Sequence, residues 1–176
     1  MLDTIKQLLA NQYEAALCTL GVCIDRCPDR SWNERVANYK FCQAVFHTLF
    51  YADYYLGPDE DSFRDQPFHR DNAEFFGDYE EFEDHAPRAL YDKPAIQRYL
   101  QHCRTKAARV IASETAESLG AQCAFGRKAF SRAELHVYNI RHIQHHAAQL
   151  SLRLRLDHAV DVPWVGSGWK ELGTSG

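Results

Sequence analysis

The chain has 176 residues, 45% hydrophobic and 25% charged, with a formal net charge of −4, six cysteines and nine histidines. That is the length of one domain, 1–176, with core enough to fold without disulfide staples. A mildly acidic chain is a poor binder of nucleic-acid phosphates, no apolar run approaches the ~20 residues that span a bilayer, and Met1–Lys6 has neither the basic nor the apolar stretch of a signal peptide.

The first predicted element is a helix over 4–27, where Ile5, Leu8, Leu9, Tyr13, Ala16, Leu17, Leu20, Val22 and Ile24 recur at a helical period. Asp3 or Thr4 can cap its start, and Cys27-Pro28-Asp29 ends it. A second helix is predicted over 33–56, carrying Val36, Tyr39, Phe41, Val45, Phe46, Leu49, Phe50 and Tyr54 and stopped by Gly57-Pro58-Asp59.

The segment 57–92 is of a different kind. It holds twelve of the twenty-four acidic residues against three arginines, a formal −9 that leaves +5 on the rest of the chain. It also carries Phe63, Phe68, Phe75, Phe76, Tyr79, Phe82 and Tyr91, too many aromatics for a solvated linker. An ordered connection is expected, with a short helix near 72–83, lying along or over the helices as a crossover, a lid or a site wall.

A third helix is predicted over 93–119, with Pro94 in its first turn and Gly120 after its last. The fourth has the clearest start. Ser131 and Glu134 form a capping box, Phe130 and Leu135 a hydrophobic staple, and the helix runs to about Asp157, before an irregular tail over 158–176. No stretch alternates like a strand. Four helices of similar length, each with an apolar stripe, predict an all-α four-helix bundle.

None of Cys18, Cys23, Cys27, Cys42, Cys103 and Cys123 forms a CxxC pair, so they are expected as small buried hydrophobes of a reducing cytoplasm. Five histidines instead gather within 23 residues: His136, His142, His145, His146 and His158. His142 and His146 are spaced i, i+4 and share one helix face, so both imidazoles can reach a single ion. Their stripe, Leu135, Asn139, His142, His146, Gln149, Leu150 and Arg153, sets polar side chains where a bundle core should be driest. A third ligand must come from another helix, and His47 sits among aromatics in the second. Three neutral imidazoles with one open position are the pattern of a catalytic transition-metal site. Gln43, Tyr51, Asn139 and Gln149 lie one turn from these histidines and are the candidates to orient them. The other six histidines are expected at the surface or in a lid. Asp53 points away from His47, and no general base can be chosen among the twelve carboxylates of the connection.

Three runs resemble the DinB-like four-helix-bundle superfamily: Phe46-His47-Thr48-Leu49-Phe50-Tyr51-Ala52-Asp53, the stretch 139–150 with its H-x-x-x-H-x-x-x-L arrangement of His142, His146 and Leu150, and the tail Pro163-Trp164-Val165. The likeness spans about residues 4–165. It implies a divalent metal, Zn or Ni, on His47, His142 and His146. The superfamily takes its name from damage-inducible genes and includes thiol-dependent transferases and isomerases that activate a small thiol such as mycothiol or bacillithiol. The expected function is therefore metal-dependent chemistry on a small molecule, thiol transfer or hydrolysis, with a low-molecular-weight thiol among the candidate partners and a second copy of the chain as another. The alternatives are a non-catalytic, stress-related metal-binding protein and a helical interaction module. The long acidic connection departs from the superfamily pattern and puts the substrate pocket in question.

Overall fold

The computed structural model describes residues 1–77, 79–83, 85, 87–126 and 128–171. It is mostly helical. In chain order the elements are α1 (Leu2–Arg26), the two-residue strands β1 (Arg35–Val36) and β2 (Tyr39–Lys40), α2 (Phe41–Leu56), α3 (Pro67–Asp71), α4 (Ala73–Phe76), α5 (Lys93–Ser113), α6 (Ala116–Gly120) and α7 (Arg132–His158). Among the described residues, no helix is long and apolar enough to cross a membrane.

Each of α1 and α2 packs along both α5 and α7. The face of α1 that enters the core carries Leu9, Tyr13, Ala16, Leu17, Leu20 and Ile24, the spacing of a single helical stripe. Gly21 lets α1 approach α5 closely, since a Cβ there would stand 3.1 Å from the Leu100 side chain. The tail returns over the other side of α1, where Val165 is buried against Ala15 and Cys18. Trp169 lies under the Arg104 guanidinium at 4.0 Å. All six cysteines are buried thiols.

The second helix is shorter than its sequence pattern suggests. Residues 35–40 form a hairpin, Arg35 pairing with Lys40 and Val36 with Tyr39, around a left-handed Ala37. The helix starts only where the Gln43 Oε1 accepts the Lys40 amide at 2.9 Å. The predicted third helix likewise stops at Ser113, because Thr115 starts a new turn by accepting the Ser118 amide. The single short helix expected near 72–83 is instead α3, α4 and a 3-10 turn at Glu80–Phe82. On α7, Ser131 accepts the Glu134 amide as the sequence predicts.

α2 is buried almost all round, and the connection accounts for it. Phe46, Phe50 and Tyr54, one turn apart, each meet aromatics of the 57–92 segment. Phe46 stacks on Tyr91 at 3.8 Å, Phe50 meets Phe63 and Phe82 at 5.0 Å, and Tyr54 meets the same two rings. Six of the seven aromatics of the connection thus form a third wall around α2, beside α5 and α7, while Phe68 stacks on Tyr99 and His102 of α5. Only His47 and Tyr51 along this helix are not fully buried.

Two polar clusters lie inside the helical body, and they correct the expectation that the other six histidines sit at the surface or in a lid. His69 is 1% exposed and His136 is wholly buried. His69 Nε2 donates to Asp53 Oδ2 at 2.7 Å, and Asp53 also meets the Lys106 ammonium, the Tyr99 hydroxyl and the Gln66 amide. His136 lies between Glu114 at 2.9 Å and the Tyr13 hydroxyl at 3.1 Å. Arg132 joins Glu114 and then donates to the carbonyls of Tyr55, Leu56 and Gly57, satisfying the C-terminal end of α2.

Candidate metal centre

His47 sits mid-way along α2 on its one incompletely buried line, with Tyr51 one turn further on. His142 and His146 sit one turn apart on α7, which packs along α2. The three imidazoles therefore converge from two helices. One ligand atom of each lies within 4.8 Å of the others. The ring centroids are 4.7 Å apart for His142–His146, 4.9 Å for His47–His146 and 5.5 Å for His47–His142.

The hydrogen bonds decide which nitrogens face the centre. His47 Nδ1 is engaged by Glu81 Oε2 at 2.6 Å, leaving Nε2 as its open lone pair. His146 Nδ1 donates to Gln149 Oε1 at 3.0 Å, again leaving Nε2. His142 Nε2 is buried with no hydrogen-bond partner among the described residues. A buried ring nitrogen without a partner is costly, and a cation between the three rings would satisfy it. The donor set, three imidazoles and no thiolate, suits Zn, Ni, Cu or Fe and not Mg or Ca.

Burial and the neighbouring imidazoles favour the neutral form of His142 and His146. Desolvation first, then His146 and His47, lowers the His142 pKa to about 3. Desolvation and His47 lower that of His146 to about 4. Neutral imidazole is the form that binds a metal. The sign for stability follows. Below the ordinary histidine pKa of about 6.5 the unfolded chain takes up protons that the folded, metal-free chain refuses. Stability supplied by these two groups is therefore whole above pH 6.5 and is lost as the pH falls toward 4. The urea midpoint of metal-free protein should drop between pH 7 and pH 5, with a shallower slope in His142→Phe.

Of the four residues expected to orient the ligands, two are at the centre. Gln149 bridges His146 to the exposed His145, donating to His145 Nε2 at 3.0 Å. Tyr51 packs against His47 at 4.9 Å and His142 at 5.8 Å. Gln43 is elsewhere, donating to the carbonyls of Pro87 and Ala89. Asn139 is also elsewhere, buried and donating to the Ala52 carbonyl at 2.9 Å. The α7 stripe divides for the same reason. Leu135, Asn139, Ile143, Ala147, Leu150 and Leu154 are the core line, and the two histidines lie on its flank, half-buried, with Gln149 exposed. His142, His146 and Gln149 thus border the dry core, whereas Asn139 lies within it, bonded to the Ala52 carbonyl. Asp53 faces α5, on the other side of α2, as its offset from His47 predicts.

Glu81 escaped the sequence reading. Its carboxylate is 3% exposed and is the only one among the described residues bonded to a ring of the centre. Nothing in the sequence distinguishes it from the other acidic residues of the connection. On the far side, His142 lines an open groove of about 550 Å³ along α7, with Tyr138, Arg141, Gln144, His145 and Ala148.

Comparison of the chain with family models, with curated proteins and with solved structures found no match.

Proposed function

We propose that the chain is a DinB-like four-helix-bundle metalloprotein that binds one divalent transition ion, Zn or Ni, through His47, His142 and His146. The observation that carries this reading is the convergence of three imidazoles around the unpartnered, buried His142 Nε2. Three protein ligands leave a tetrahedral ion one position open, which is the catalytic and not the structural pattern. His142 also lines the open groove along α7, a place where a small molecule can lie beside the centre. The bound ion would supply Lewis acidity, enough to activate a water or a small thiol near neutral pH. The activity we infer is thiol transfer or hydrolysis on a small molecule.

The chain's own residues supply the rest. Tyr39 and Tyr51 pack against the His47 ring, and Gln149 fixes the His146 ring. The test is turnover of electrophilic and ester substrates, with and without a low-molecular-weight thiol, by zinc- or nickel-loaded protein. We expect turnover that needs both the metal and His142. Stoichiometric metal with no turnover across such a panel would leave a metal-binding protein without catalysis.

A further inference from the structure

The acidic connection is bonded to an imidazole of the candidate centre through a single side chain. Glu81 lies in the 3-10 turn Glu80–Phe82. Its Oε2 is 2.6 Å from His47 Nδ1, and its Oε1 is buried with no hydrogen-bond partner among the described residues. The Tyr51 hydroxyl donates to the Glu81 carbonyl at 2.9 Å, so α2 holds this turn by two bonds one helical turn apart. The adjacent Glu80 does different work: its Oε2 accepts the amides of Arg88 and Ala89 at 2.8 and 3.1 Å. Gln43 then ties Pro87 and Ala89 back to the start of α2. The turn Glu80–Phe82 therefore carries two neighbouring carboxylates, Glu80 tied to the amides of Arg88 and Ala89 and Glu81 turned inward to His47.

An inward carboxylate is expensive. A buried charge facing one neutral imidazole recovers only part of its lost hydration. A surface turn could have placed Glu81 in water, as Glu83 is placed. A cation on the opposite nitrogen of the same ring changes the balance. It draws electron density through the imidazole, strengthens the Nδ1–H as a donor, and sets a positive charge across the ring from the carboxylate.

We propose that Glu81 is a positioning residue of the three-His centre: it holds His47 as the Nδ1–H tautomer with Nε2 toward the ion, and it links metal occupancy to the order of the Glu80–Phe82 turn and the Arg88 and Ala89 amides bonded to it. This rests on the reading of the three histidines as a metal centre. Linkage is reciprocal, so what the turn does for the ion, the ion does for the turn.

The experiment uses zinc alone, with affinity measured by competition against a chromophoric chelator and amide hydrogen exchange read with and without zinc. Glu81→Ala should bind zinc about 10–100-fold more weakly than the parent protein. Glu81→Gln retains an acceptor for Nδ1–H but not the charge, and should fall between the two. Zinc should slow exchange of the Arg88 and Ala89 amides in the parent protein and leave them unchanged in Glu81→Ala. If Glu81 were only the partner of a protonated His47, its removal would free the imidazole from proton competition, and zinc affinity would stay level or rise. Equal or tighter binding by both variants would overturn the proposal. Failure of the parent protein to bind zinc would instead overturn the metal-centre reading beneath it.

Discussion

Replacing Asp53 with alanine is expected to destabilise the fold by about 3–5 kcal/mol, the cost of stranding a buried charge. Asp53 is 0% exposed, and the Lys106 side chain that meets it is 7% exposed. The ammonium has three oxygen partners, Asp53 Oδ1, the Asp53 carbonyl and Gln66 Oε1, and two of them belong to Asp53. Without the carboxylate, Lys106 is left charged inside the protein and His69 and Tyr99 lose the acceptor they share. Total stabilities of about 5–15 kcal/mol make this a large fraction of the whole. Burial alone would raise the Asp53 pKa, but the His102 ring 3.5 Å away, the hydrogen bond from His69 and the charge of Lys106 outweigh it and hold the carboxyl far below its usual range. The contribution is therefore complete above pH 4 and fades as the unfolded chain begins to take up protons in acid. Urea denaturation of Asp53→Ala, Lys106→Met and the double variant checks the account. The double variant should be less destabilised than the sum of the two single ones, because it leaves neither charge alone.

The second large effect concerns the metal. Zinc at a hundredfold excess over its dissociation constant should stabilise the protein by about 2.7 kcal/mol, if it binds only the folded chain. For a chain of this size that is a rise in Tm of roughly 5–11 °C, at 2–4 °C for each kcal/mol. His142→Ala should lose the whole rise. His142 is the ligand whose Nε2 is buried without a hydrogen-bond partner among the described residues, and two imidazoles chelate far less well than three. His145→Ala should keep the rise nearly intact, since His145 is exposed and reaches the centre only through Gln149. A zinc-induced rise that survives His142→Ala would place the ion elsewhere.

How much of this was legible in the sequence differs by element. α1 and α7 were readable because each sets a helical stripe toward the core and each has a clear boundary: Pro28 after α1, and Ser131 capping α7. α2 was readable as a helix but not in its extent. Its residues are apolar on every side, so the period does not say where the helix begins, and the hairpin at 35–40 carries apolar Val36 and Tyr39 in helical register. The three histidines were legible because i, i+4 spacing on a helix is itself geometry, and because His47 was out of place among aromatics. Their exact setting was not, since whether position 142 lies in the core or on its flank depends on how α7 is rotated against α2.

Glu81 and the Asp53 cluster were not legible for a stronger reason. Each is assembled by the path of the 57–92 connection, which brings Gln66, His69 and Tyr79 to Asp53 and sets Glu81 behind His47. Twelve carboxylates in one segment look alike until that path is known. The aromatics of the segment signalled that it would pack, and the ladder of Phe46, Phe50 and Tyr54 was the partner surface, but neither fixes which acidic residue turns inward.

The central claim is that three imidazoles, and no other protein groups, hold one ion. X-ray absorption spectroscopy at the zinc edge of protein loaded with one equivalent tests it most directly. The account predicts a first shell of nitrogen and oxygen scatterers near 2.0–2.1 Å, with the outer-shell pattern of three imidazoles and one light-atom ligand at the open position. A sulfur shell near 2.3 Å, or an imidazole count of one, would contradict it.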